Sequence, residues 1–302
     1  MMDNLEVIGI DIGGTAIKLG RFLRDGTCLQ SVNIPTPQPS TPLAVVEAIA
    51  ASITQLNCNN NCLALGVGTP GPVDETSRIA KVAINLAQWQ DVPLADWLEI
   101  KTGLKTIIAN DANCALVGEA WLGAGKRFQN LILLTLGTGV GGAIILDGKL
   151  FTGQIGAAGE LGLITINYDG PICNSGNQGS LEQYVSLQAI RRLTGLEPVV
   201  LAQKARAGDK FALDFWQEYG RILGAGLASL IYILTPEAII IGGGISAGAD
   251  LFFPATLAEI ERRVLFTSRF GLKLLQAELG NNAGMLGAAK LAWSEWGVGS
   301  GE

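Results

Sequence analysis

Histidine is missing from all 302 residues of this chain. That excludes Ser-His-Asp and Cys-His catalysis, histidine-ligated zinc and the HRD loop of protein kinases, which all need an imidazole. Cysteine is sparse: Cys28, Cys58, Cys62, Cys114 and Cys173, an odd number without a regular spacing. Cys58 and Cys62 form one C-x3-C pair in an Asn-rich turn, and no second pair completes a zinc site, so reduced thiols are expected. Charged residues make up only 16% and the net charge is −6, which argues against a nucleic-acid backbone as partner. No apolar run is long enough to span a membrane. The strongest, residues 224–244, is broken by Pro236 and Glu237 and reads as a helix end followed by a buried strand. The start, Met1-Met2-Asp3-Asn4-Leu5-Glu6, lacks the basic region of a signal peptide, so a cytoplasmic protein is expected. A Walker A loop is absent too, because Gly125-Lys126 and Gly148-Lys149 are followed by Arg127 and Leu150 rather than Ser or Thr.

Glycine, by contrast, is abundant at 40 residues, and hydrophobic residues reach 48%, enough for a sizeable core and two domains. The organising stretch is Leu131 to Gly142, LILLTLGTGVGG, an apolar run that empties into a glycine turn and restarts at Ala143. The same design stands near the N-terminus, where Val7 to Ile12 leads into Gly13-Gly14-Thr15 and then Ala16-Ile17-Lys18-Leu19-Gly20. Glycine tolerates positive φ and lacks a Cβ, so such turns can present backbone N–H groups to an anion. Gly137, Gly139 and Gly142 satisfy G-x-G-x-x-G, but a dinucleotide site needs a helix next. Here an Ile-rich segment with an Asp-Gly turn follows, which predicts a hairpin. Two phosphate-holding hairpins, one per half, are the expectation.

The first third reads β-β-β-α-β. Pro35, Pro37, Pro39 and Pro42 make residues 35–42 an extended connector, expected to be a solvated loop. The helix after it starts at Pro42 and carries Leu43, Val46, Ile49, Ala50 and Ile53 on one face. Strand Leu63 to Val67 ends in the rigid turn Gly68 to Val73; a helix at 93–102 and a strand at 105–109 precede Asn110-Asp111 and a helix through Trp121. An isolated aspartate there would read as a helix N-cap. Between two glycine turns, at the end of a strand, it reads instead as part of a ligand site. Residues 211–234 predict one long helix, strand 238–241 breaks at Gly242-Gly243-Gly244, and 284–296 predict a final amphipathic helix.

In this order the motifs resemble those of the ROK family of sugar kinases and sugar-responsive repressors. Asp11-Ile-Gly-Gly-Thr15 and Thr135 to Gly142 resemble its two phosphate motifs, and Gly68 to Pro72 and Asn85 to Trp89 its sugar-side motifs. Asn110 to Ala115 with Gly118-Glu119-Ala120 is similar to the catalytic stretch, Ala158 to Gly162 to the sugar-binding turn, and Ile239 to Gly244 to the adenosine-side turn. The resemblance implies an α/β protein of the actin-like ATPase, or hexokinase-type, fold, with two α/β domains around an interdomain cleft. The domains would be 1–122, with helix 284–298 packing back on it, and 123–283.

It further implies ATP-dependent phosphorylation of a hexose hydroxyl, glucose to glucose 6-phosphate foremost, with Asp111 as general base. The sugar would be gripped by Gly71, Asn85, Asn110, Glu160 and Glu182. ATP would be held by Gly13, Gly14, Thr15, Gly137, Thr138, Gly139, Gly243 and Gly244, with Asp11 orienting Mg²⁺ or its waters, while Lys18 reads as a solvated surface lysine. Mannose, fructose or an N-acetylated amino sugar as acceptor, polyphosphate as donor, an inactive sugar sensor and a homodimer all stay open. A repressor would need a DNA-binding domain ahead of the first phosphate motif, and ten residues precede Asp11. No nucleic-acid or membrane partner is expected.

Two features depart from the family pattern. Its zinc-ligating histidine is replaced by Leu163, and its C-x-C-G-x-x-G-C-x-E loop reads Cys173-Asn174-Ser175-Gly176-Asn177-Gln178-Gly179-Ser180-Leu181-Glu182. One thiol and two serines are a poor donor set for a structural zinc, so zinc is expected to be absent and the loop to keep its shape through hydrogen bonds from Asn174, Ser175 and Ser180.

Overall fold

The run Glu-Val-Ile-Gly-Ile-Asp-Ile is apolar on both of its faces, as a strand with neighbours on all sides requires, and it forms β1 (Glu6–Ile12) at the centre of a sheet. The structure, a computed structural model, describes residues 5–56, 61–83 and 86–297. These fall into two compact units: residues through 126, 152–158 and from 281 onward form the first, and 127–151 with 159–280 form the second.

In the first unit, β2 (Ala16–Phe22) folds back antiparallel on β1, and β3 (Cys28–Pro35), mostly exposed, forms the edge. Helix α1 (Pro42–Leu56) begins at Pro42, where the missing N–H costs nothing. Its buried face is Val45, Val46, Ile49, Ile53 and Leu56; Leu43 lies on the solvent side at 58% exposure, because the stripe at 3.6-residue spacing runs through Val45 instead. Strand β4 (Cys62–Thr69) pairs parallel with β1. A small hairpin follows, β5 (Ala80–Val82) and β6 (Gln90–Val92), which the sequence pattern does not signal. Helix α2 (Leu94–Thr102) ends in a left-handed Gly103, β7 (Lys105–Asn110) pairs parallel with β4, and α3 (Asp111–Leu122) leaves its end. The sheet order is β3-β2-β1-β4-β7. The proline-rich connector is a loop with Pro35, Gln38 and Pro39 exposed, as expected, but Thr36 and Ser40 within it are buried and hydrogen-bonded.

The second unit repeats this topology. Strands β8 (Leu131–Leu136), β9 (Val140–Leu146) and β10 (Lys149–Leu150) form an antiparallel meander. After it come α4 (Glu182–Val185), α5 (Leu187–Thr194), α6 (Pro198–Arg206) and the long α7 (Lys210–Leu234), capped by the Asp209 carboxylate on the Ala212 N–H. Strand β11 (Ala238–Gly242) pairs parallel with β8; α8 (Ala249–Arg263) and α9 (Phe266–Arg269) then lead to β12 (Lys273–Gln276), giving β10-β9-β8-β11-β12. The predicted hairpin after Leu136 is present, and a helix does not follow the glycines. Trp216 and Tyr219 of α7 pack on Phe252 of α8, with ring centroids 5.8 and 5.1 Å away.

The last helix, α10 (Ala283–Trp296), belongs to the first unit, where it packs on β1, β4 and α3. Small residues set the approach: a Cβ on Gly66 would stand 1.8 Å from the Ala288 carbonyl oxygen, and one on Gly287 1.6 Å from that of Cys114. Among the described residues no helix is long and apolar enough to cross a membrane.

Candidate active site

In the first unit, β1, β4 and β7 run parallel with their carboxyl ends level. Asp11 registers with Gly68, Gly68 with Ala109, and Thr69 with Asn110. Such an edge is where open α/β sheets bind ligands. Asp11 is half-buried there; burial raises its carboxyl above the usual range, and the Lys18 ammonium, 3.5 Å away, offsets part of the rise. Lys18 also donates to the Asn281 carbonyl at 2.8 Å. It is therefore a half-buried partner of Asp11, not the solvated lysine expected.

Beyond β1 the turn closes on itself. The sequence suggests that the Gly13 N–H is presented to an anion; instead it donates to the Ala16 carbonyl at 3.0 Å and is engaged in the turn. Gly14 and Thr15 form its exposed tip. From the proline connector, the Thr36 hydroxyl donates to the Gly13 carbonyl at 2.6 Å and the Thr36 N–H to that of Thr15 at 3.0 Å. Thr36 thus braces the candidate phosphate turn, a tie the sequence did not reveal.

At the end of β7, Asn110 is the N-cap of α3, its Oδ1 accepting from the N–H groups of Ala112 and Asn113 at 2.9 and 3.2 Å. Asp111 thus occupies the first helical position, with a side chain at the surface. Its Oδ1 accepts from Asn110 Nδ2 at 3.0 Å and from the Ala112 N–H at 2.8 Å, which fixes the carboxylate's direction. Asn110 Nδ2 donates as well to the Gly71 carbonyl at 3.1 Å. Gly71 holds φ 78°, and a Cβ there would stand 1.8 Å from the Val82 carbonyl oxygen. Beneath, the buried Cys114 thiol is pushed up by burial and then by the charges of Asp11 and Asp111, so both carboxylates bear on one spot. Glu119, by contrast, is fully buried and accepts from the Ala124 N–H at 2.9 Å, tying the end of α3 to the next turn. Asn85 lies outside the described residues.

In the second unit the turn between β8 and β9 closes similarly. The Gly137 N–H donates to the Gly139 carbonyl at 3.0 Å, so it too serves the turn rather than an anion, and Thr138 is exposed at the tip. Glu182, first residue of α4, accepts from the Val140 N–H through Oε2 at 2.9 Å and from Cys173 Sγ through Oε1 at 3.8 Å. The residue expected to grip hydroxyls is also a brace for the glycine turn. Partial desolvation, and after it the Glu182 charge, raises the Glu160 carboxyl, so the two carboxylates act on a common region. At the end of β11, Gly243 takes φ 82°, and a Cβ on it would lie 2.3 Å from the Leu136 carbonyl oxygen. Gly244 opens a cavity of about 140 Å³, walled by Pro198, Val199, Ala202 and Gln203 of α6 and by Ile245 and Gly248. The α6 wall is a second feature without a sequence signal.

The zinc of the family pattern does not fit here. Ser180 Oγ donates to Cys173 Sγ at 3.2 Å, and the backbone of Leu163 takes the place of an imidazole as partner for the loop. Among the described residues no group of three or more His, Cys, Asp or Glu is arranged to hold a metal.

With this geometry in place, the ROK family pattern matches residues 7–295. The chain is a member of the ROK family. It is similar to a glucokinase of Thermotoga maritima, 34% identical over 96% of this chain and 98% of that one. Among solved structures, a ROK glucokinase from Streptomyces griseus in complex with glucose and AMPPNP superimposes with a TM-score of 0.81 at 35% identity, over 96% of this chain and 99% of that one. A ROK hexokinase from Thermus thermophilus gives 0.87 at 33% identity, over 98% of this chain and all of that one. The ROK fold is the actin-like ATPase fold, and the repeated strand order of the two sheets is its mark in this ROK protein.

Proposed function

We propose that this ROK protein is an ATP-dependent sugar kinase that converts glucose to glucose 6-phosphate. The observation that carries the reading is the arrangement at the end of β7: Asn110 caps α3, and Asn110 Nδ2 and the Ala112 N–H orient the Asp111 carboxylate at the helix's first, surface position. Its likeness to glucokinases over almost the whole chain supports the same reading. Asp111 takes the proton of the attacking sugar hydroxyl; the oxygen forms a bond to the γ-phosphorus as the bond to the β-bridging oxygen breaks, and ADP leaves. Asn110, Glu160 and Glu182 orient the hydroxyls, with Gly71 holding Asn110 through its carbonyl.

Backbone groups of Gly14 and Thr15 in the first unit, and of Thr138 and Gly139 in the second, receive phosphate oxygens in this reading, with Gly13 and Gly137 shaping the turns. The cavity beside Gly244, next to Gly243, takes the adenosine end. Magnesium needs only one or two carboxylates when it travels with nucleotide phosphates. The half-buried Asp11, aimed by Lys18, fits that demand. When bound, the ion would neutralise phosphate charge.

The test is ADP release with ATP and Mg²⁺ over a panel of hexoses, with Asp111→Asn in parallel. Turnover with glucose, reduced by about 10²- to 10⁴-fold in the variant while glucose still binds, is the expected result. Saturable sugar binding without turnover in the unmodified protein would identify a sensor instead, and turnover with another hexose alone would reassign the acceptor.

A further inference from the structure

The stretch from Gly170 to Ser180 contains no helix or strand, yet it leads directly into Glu182, which braces the second glycine turn. A loop of this length is costly to hold in one conformation unless something ties it down. The metal that performs this task in the family pattern has no donor set here, and the hydrogen bonds show what stands in its place.

Beside the backbone bonds, one side chain spans the two segments. Asn177 Nδ2 donates to the Leu163 carbonyl at 2.7 Å, while its Oδ1 accepts from the Thr165 hydroxyl at 3.1 Å and the Gln178 N–H at 2.7 Å. Its backbone carbonyl accepts from the Cys173 N–H at 2.7 Å. This carboxamide thus adds a side-chain tie near the tip of the loop, where the backbone bonds that also join the two segments, from the Ile166 and Asn167 N–H groups to the Gly179 carbonyl and from the Leu181 N–H to the Ile164 carbonyl, do not reach. Both kinds of carboxamide group are used, so neither an acid nor an apolar residue can reproduce the set. From Cys173 the connection continues. Ser180 Oγ donates to its sulfur, its sulfur reaches Glu182 Oε1, and Glu182 Oε2 holds the Val140 N–H. Asn174, expected to help shape the loop, is not among these partners.

We propose that Asn177 is a positioning residue, a metal-free cross-link that fixes Glu182 and, through it, the turn Gly137 to Val140. The inference rests on the sugar-kinase reading of the site. It places the protein's dependence on a side-chain amide where relatives with the full motif depend on zinc. Two consequences follow: activity does not require zinc, and the loop's contribution to the site is lost when the amide is lost.

The experiment compares Asn177→Ala and Asn177→Asp with the unmodified protein, by steady-state kinetics with excess Mg²⁺ and by calorimetric titration with glucose. Each variant is expected to lose roughly ten-fold or more in kcat/KM, divided between a higher glucose KM and a lower kcat, with thermal unfolding little changed. A zinc-selective chelator should leave the unmodified protein's rate unchanged. Because Asn177→Ala could unfold the loop outright, a second variant restores the metal: Leu163→His, Ser175→Cys and Ser180→Cys added to Asn177→Ala. It should bind one zinc per chain and regain kcat/KM only with zinc. An active unmodified protein whose Asn177 variants match it in both constants would overturn the proposal, as would loss of its activity on zinc removal. An unmodified protein that turns over no sugar would overturn the kinase reading instead.

Discussion

Lys18 shows how a single cation can set the working range of a site. Asp11 sits where burial favours its neutral form, and the Lys18 ammonium 3.5 Å away favours the charged one. A raised carboxyl pKa means that the ionised form is lost at a higher pH than for an ordinary aspartate. If the ionised form orients the nucleotide's metal, the acid limb of kcat/KM follows Asp11. Lys18→Met removes the attraction that lowers this pKa, so the limb should move to higher pH while the plateau near neutrality changes less. A pH profile of kcat/KM for ATP measures it, and an unmoved or lowered limb would remove Asp11 from that role. Which residues make up the candidate site was legible only in part. Asp11, Asp111 and the turn glycines stand in short local patterns, because a glycine turn after an apolar strand has few other uses. Thr36 and Asn177 carry no such pattern: each acts on backbone more than ten residues away, and only the fold brings those carbonyls within reach.

At the scale of elements, the hairpins, α1, α3, α7 and α10 follow from their hydrophobic periods. The elements without a signal are short or masked. β5 and β6 have three residues each, β12 has four that are never fully buried, and α8 carries Pro254 inside it. α10 illustrates what periodicity leaves out. Its apolar face predicts a buried helix, but how near it comes to α3 depends on Gly287, where a Cβ would fall 1.6 Å from the Cys114 carbonyl oxygen. Backbone cannot yield as a side-chain tip can, so Gly287→Ala must push the two helices apart and open the packing around Ala288 and Ala289, which are fully buried. A loss of about 2–3 kcal/mol is expected, read as a fall in Tm of roughly 5–10 °C by calorimetry. A variant as stable as the parent would mean that this interface is looser than its geometry.

At the scale of the whole molecule, the chain is wound so that its end completes what its start begins. The sheet with β1 at its centre belongs to the first unit, yet the helix covering Gly9, Gly66 and α3 comes from residues 283–296. Contacts between β1 and α10 close a loop of nearly the full chain, the kind of pairing that forms late and slows folding. The repetition of strand order in the two sheets was legible only as a pair of glycine hairpins, because parallel pairing of β4 and β7, or of β11 and β12, is set by packing rather than by a local signal. The winding makes a prediction about truncation. Ending the chain at Gly280 removes α10, strips the cover from the face of β1 and β4 that carries Gly9 and Gly66, exposes Val7 and Ala64 on that face, and deprives Lys18 of its Asn281 partner. The first unit should then fail to hold its structure, while the second, whose residues end at Gly280, keeps its own core of α7, α8 and β11. Limited proteolysis followed by mass spectrometry should give cleavage throughout 5–122 and protection across 131–276. Equal protection of both stretches would show that the first unit folds without the helix that closes it.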